Sequence, residues 1–77
     1  MREPRLTERV ETNVPHAAAD EWWRICIYAD GIKLYESEKL DSFHGAMRAG
    51  DVWARVMLPG KWIHHESMVT GVDRCLV

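Results

Sequence analysis

The 77-residue sequence has only two cysteines, three prolines and one phenylalanine, and no apolar run close to the ~20 residues that a membrane span requires. Cys26 and Cys75 stand far apart with no CxxC pairing, which argues against a disulfide framework or a cysteine zinc centre and reads as reduced core thiols. Met1 to Thr12 carries arginines but no apolar h-region, so no secretory leader is expected and the cytoplasm is the expected compartment. A basic excess is missing too: ten Lys and Arg face twelve Asp and Glu, whereas chains that live by neutralising phosphates carry a basic stripe. Residues 1 to 41 hold nine acids and six bases and residues 42 to 77 hold three and four, too mild an asymmetry for a mimic of a polyanion. Neither GxGxxG nor GxxxxGK[ST] occurs, so no phosphate cradle is expected. A chain this short buries only about 60% of its unfolded surface, and a ligand pocket of about 300 Å³ or more would compete with its core. One domain over residues 1–77 is expected, with residues 1–4 flexible, and no enzyme.

What is present is pattern. Two β-rich runs flank Asp30-Gly31, a dipeptide that tolerates the positive φ angles of a two-residue type I′ turn. With those two residues as the loop, Ala29 faces Ile32, Tyr28 faces Lys33, Ile27 faces Leu34, Cys26 faces Tyr35 and Ile25 faces Glu36. Ile25, Ile27, Ala29, Ile32 and Leu34 then form a core face, and Arg24, Cys26, Tyr28, Lys33 and Tyr35 an amphipathic outer one.

After Lys39 the period changes. Asp41 or Ser42 caps a helix whose apolar positions Phe43, Ala46, Met47, Gly50, Trp53, Ala54 and Met57 make one stripe toward the sheet. Gly45 and Gly50 each weaken a helix by about 1 kcal/mol relative to alanine, which places them where the backbone approaches the sheet or where Trp53 needs space. Pro59-Gly60 ends the helix. Lys61 to Val77 reads as a strand, a turn at Thr70-Gly71 and a short terminal strand. Leu6 to Thr12 reads as an edge strand or an arm, and Pro15 to Ala19 as a helical turn or a connector. The expected fold is α+β: a small antiparallel sheet of three to five strands with one helix on one face, in the order β-β-β-α-β.

Chemistry-bearing residues form no recognisable set. His64 and His65 are neighbours, so on a strand they point to opposite faces, and His16 and His44 add no ligand spacing; no metal and no cofactor are expected. Cys26 beside Tyr35 is a poor setting for a thiolate. Glu36 and Glu38, at i and i+2, share a strand face and could act as acid and base, or simply repel edge pairing. Four tryptophans are more than so small a core absorbs: Trp53 fits the helix stripe, but Trp22, Trp23 and Trp62 cannot all be buried. Exposed aromatics beside arginine supply the hot spots of protein interfaces; the plainer alternative is a tryptophan covering a sheet edge.

The Asp30-Gly31 hairpin followed by the Ser42 to Leu58 helix resembles the sheet-then-helix unit of AP2-type and integrase arm-type DNA-binding domains, and the partial ribonuclease-H unit of HicB-like antitoxins. In those DNA readers the sheet face is rich in arginine and tryptophan, whereas here it offers Arg24, Lys33, Tyr28 and Tyr35. In size, composition and pattern over residues 22 to 58 the chain is also similar to small phage and mobile-element inhibitors of the anti-CRISPR type. That resemblance implies a non-enzymatic inhibitor or adaptor in the host cytoplasm that binds a larger protein or ribonucleoprotein complex and sterically blocks it. No membrane and no direct nucleic acid would be engaged, and a homodimer is compatible. The expected contact residues are Trp22, Arg24, Tyr28, Lys33, Tyr35, Glu36, Glu38 and Trp62, the acids meeting basic channel residues of the partner. The competing reading is a sheet-type DNA- or RNA-binding regulator or antitoxin.

Overall fold

The computed structural model describes residues 2–14, 20–66 and 72–76. His16, the Pro15 to Ala19 segment and the Thr70-Gly71 turn lie outside the described residues. Five strands form one sheet: β1 (Leu6–Thr12), β2 (Trp23–Ala29), β3 (Ile32–Glu36), β4 (Trp62–Glu66) and β5 (Val72–Cys75), with the helix α1 (Phe43–Met57) between β3 and β4. The fold is α+β; the order β-β-β-α-β is met, and β5 is the short terminal strand read within Lys61 to Val77. The topology differs from expectation in two ways. Leu6–Thr12 is the central strand of the order β3-β2-β1-β4-β5, not an edge strand or an arm. The sheet is also mixed, because β1 pairs with β4 in parallel, Thr7 opposite His64, while its pairing with β2 is antiparallel.

The Asp30-Gly31 turn is present, with φ of 48° and 82° at its two residues as a type I′ turn demands. The pairing beyond it holds for only two steps. Ala29 opposes Ile32 and Tyr28 opposes Lys33, but then Ile27 opposes Tyr35 and Cys26 opposes Glu36, leaving Leu34 as the extra residue of a β-bulge. A bulge shifts everything after it by one position and so exchanges faces. Tyr35, expected on the outer face, therefore lies on the helix side, where its ring stacks on Trp53 at 4.8 Å between centroids. Ile32 and Leu34, expected in the core, are exposed, Ile32 to 71%. Glu36 moves to the outer face.

Ser42 caps α1, its Oγ accepting from Gly45 N at 2.9 Å. Ala46, Gly50 and Ala54 are the helix positions buried against the sheet. The close approach expected at Gly50 is present: a Cβ there would run into Ile25 Cδ1 and stand 3.0 Å from Cγ2. Phe43 and Met57, expected in the core stripe, are exposed, and Trp53 is half-buried. The core cluster is Leu6, Ile27, Ala54, Ile63 and Leu76, drawn from β1, β2, α1, β4 and the residue after β5.

A fully buried acid sits on the helix side of the central strand. Glu8 has no exposed surface, and Arg74 of β5 grips it with both ends of the guanidinium, Nε donating to Oε1 at 2.9 Å and Nη2 to Oε2 at 3.0 Å. The same arginine donates through Nη1 to Asp51 of α1, and His65 Nδ1 stands 3.4 Å from Glu8 Oε1. Burial works against the charge on Asp51, yet hydrogen bonds from Arg55 and Arg74 outweigh it and hold that carboxyl below its usual range. One arginine thus joins the centre of the sheet, its far strand and the helix.

Candidate functional site

With the helix on one side, no other described element packs on the opposite side of the sheet. Alternation along β1 and β2 sends Arg9, Glu11, Arg24, Cys26 and Tyr28 to that side, and the bulge adds Glu36 to Lys33 from β3. Arg24 Nε donates to Glu11 Oε1 at 2.7 Å, and Arg24 Nη1 stands 3.8 Å from Glu36 Oε1. Lys33 Nζ donates to Glu36 at 2.8 Å, and Arg9 Nη2 to the Tyr28 hydroxyl at 3.0 Å with its guanidinium 5.3 Å from that ring's centre.

Trp22 joins this group from just before β2. Its backbone is fixed to the end of β1: Thr12 Oγ1 donates to Trp22 O at 2.8 Å, and Trp22 N donates to Asn13 Oδ1 at 2.9 Å. The indole is half-buried between two cations, the Arg24 guanidinium 5.2 Å and the Lys39 ammonium 4.7 Å from the ring centre. Each such contact is worth about 0.5–1 kcal/mol at an exposed site, and together they hold the indole in one orientation.

Of the eight expected contact residues, five come together here: Trp22, Arg24, Tyr28, Lys33 and Glu36. Tyr35 is on the helix side. Glu38 is exposed beyond the end of β3, where it forms no face with Glu36. Trp62, 64% exposed, belongs to the opposite end of β1, where it lines an open hollow of about 720 Å³ with Arg5, Lys61, His64 and Asp73. Arg9, Glu11 and Lys39 belong to the face and were not anticipated. The first two are missed once Leu6–Thr12 is set at an edge, although alternation of polar residues around Leu6, Glu8 and Val10 already places them on one side.

The outer side also takes the thiol expected there. Cys26 lies under it, fully buried, with Sγ 3.6 Å from Glu11 Oε1 and 3.8 Å from Glu36 Oε1. Burial pushes its thiol up from the ordinary value, and Glu11 adds to the effect, the reverse of what a nucleophile needs. The three ligand atoms of Glu11, Cys26 and Glu36 lie within 4.8 Å of one another, but both carboxylates are already engaged by Arg24 and Lys33. In the hollow beside Trp62, His64 Nδ1 meets Asp73 Oδ1 at 2.5 Å, so the two adjacent histidines do point to opposite faces. No nucleophile joins that pair by a hydrogen bond among the described residues.

The ion pairs make a pH prediction. The Arg24 hydrogen bond holds Glu11 below its ordinary value of 4.5, and the Lys33 hydrogen bond, then Arg24, does the same for Glu36. A carboxyl whose folded pKa is depressed adds stability that is full above its unfolded value and is lost as pH falls through the folded one. Carbon-detected NMR titration should give midpoints below 4.5 for both side chains, and Arg24→Gln should move the Glu11 midpoint upward. A wild-type midpoint at or above the ordinary value would refute the pairing.

No protein family, no curated protein and no solved structure matches this chain. Among the described residues, no helix is long and apolar enough to cross a membrane.

Proposed function

We propose that this chain is a non-enzymatic protein-binding inhibitor or adaptor that acts by covering part of a larger partner with the bare side of its sheet. One observation carries the reading: Trp22, Arg24, Tyr28 and Arg9 share that side, held by cation–π contacts and ion pairs. Trp, Tyr and Arg are the residue types that dominate interface hot spots, and side chains ordered before contact lose less entropy on binding. The resemblance to anti-CRISPR-type inhibitors suggests the partner class, a cytoplasmic nucleic-acid-handling effector complex.

Charge balance disfavours the nucleic-acid reading. Arg24 and Lys33 are already matched to Glu11 and Glu36, so few counterions would be released on meeting a phosphate backbone. The test is a pull-down from host lysate with wild-type protein, Trp22→Ala and Arg24→Ala, alongside gel shifts with DNA and RNA at low salt. We expect a partner retained by wild type and weakened tenfold or more by each variant, about 1.4 kcal/mol or above, and no shift of nucleic acid. A salt-sensitive shift lost in Arg24→Ala would favour the regulator instead, and a partner captured equally by all three proteins would rule out this face.

A further inference from the structure

The side of the molecule that carries α1 also has an unfilled surface. A groove of about 630 Å³ runs along α1 past Gly45, Ala49, Val52 and Val56, with Tyr35 and Trp53 inside it. Val52 is 58% and Val56 73% exposed, and Met57, Leu34 and Ile32 are exposed as well. None of these residues belongs to the Trp22 and Arg24 face.

We infer that this groove is the contact between two copies of the chain, packed helix against helix in antiparallel orientation. Gly45, Ala49, Val52 and Val56 are spaced four, three and four apart, the alternation of fours and threes that marks the seam positions of a heptad. The stripe is graded: small residues fill its first half and branched ones its second. Turned end for end about the midpoint of the stripe, a second helix sets Val56 against Gly45 and Val52 against Ala49, and each pairing occurs twice. Knob therefore meets hole at all four positions. A parallel partner would set valine on valine and leave an empty space at glycine.

The same rotation brings Arg48 beside the second copy's Trp53. Arg48 is exposed and lines the groove, and among the described residues it has no hydrogen bond or ion pair, so it is free to pack on that indole. Pairing through the β3 edge is the rival arrangement, but the bulge at Leu34 and the flanking Lys33 and Glu36 spoil that edge as a template.

Sedimentation equilibrium of the full chain from micromolar to sub-millimolar concentration tests this. A monomer–dimer equilibrium is expected, with the dissociation constant raised tenfold or more by Val52→Glu or Val56→Glu while circular dichroism stays unchanged. In a Cys75→Ser background, mixing Ala49→Cys with Val52→Cys should give a disulfide-linked pair on mild oxidation in higher yield than either variant alone. A chain that stays monomeric throughout overturns the proposal, as does a dimer indifferent to Val56→Glu or a cross-link favoured between like cysteines. A monomer that loses a captured partner on Val56→Glu would assign the groove to that partner and likewise overturn it. The Trp22 and Arg24 variants should leave the equilibrium where it is, so failure here and failure of the binding-face reading are told apart.

Discussion

Replacing Glu8 by alanine should destabilise this protein by about 3–5 kcal/mol. Folded chains of this length are stable by roughly 4–12 kcal/mol, and taking one member from a buried ion pair costs about 3–5 kcal/mol because the other charge is left without its match. Arg74 would keep Asp51 but lose both hydrogen bonds to the fully buried carboxylate. In urea the midpoint should fall by about 2 M or more. Glu8→Leu combined with Arg74→Met should recover most of the loss, since a packed apolar pair of similar volume does without the desolvation of two charges. A loss below about 1 kcal/mol in Glu8→Ala would mean that water reaches the pair and that Arg74 does not join sheet to helix as described.

The second large effect has a sign opposite to helix propensity. Alanine is about 1 kcal/mol better than glycine within a helix, yet Gly50→Ala should destabilise by about 1–3 kcal/mol. Its Cβ would meet Ile25, a fully buried side chain of β2 whose Cγ1 stands only 3.2 Å from the position that Cβ would take. The helix would have to lift from the sheet or Ile25 would have to leave its rotamer. Gly50→Leu should not fold. Ile25→Val removes the Cδ1 methyl that collides first, so the double variant Gly50→Ala with Ile25→Val should be more stable than the sum of the single effects by about 0.5–3 kcal/mol. Additive single effects, or a stabilising Gly50→Ala, would show that the helix is not held as close as the structure has it.

These two residues mark what was legible in the sequence. The turn at Asp30-Gly31, the cap at Ser42 and the close approach at Gly50 are local signals, each set by a few neighbouring residues, and all three are present in the structure. Glu8 is the reverse case. A charged residue in the middle of Leu6–Thr12 argues for an edge strand unless its counter-ion is known, and Arg74 lies near the other end of the chain. The Leu34 bulge is likewise fixed by the partner strand and not by the letters of β3. A single step of register exchanged Tyr35 for Glu36 on the outer face, which is why the tyrosine went under the helix. Val52 and Val56 fall off the core-facing stripe of α1, and their apolar character was itself the signal of the second surface.

The parallel pairing of β1 with β4 governs the order in which this molecule can be assembled. Thr7 must wait for His64, and the core that begins with Leu6 is closed only by Ile63 and Leu76. While the chain is being made, β1, β2, β3 and α1 can be complete and still lack one neighbour of the central strand and the guanidinium that matches Glu8. Closing so long a loop is entropically costly before its contacts repay it, and contacts of high sequence separation slow folding. Closure of the sheet at β4 and β5 is thus expected to come last. Until then the emerging chain presents an open strand and an unpaired acid, the condition in which a chaperone or a protease would find it.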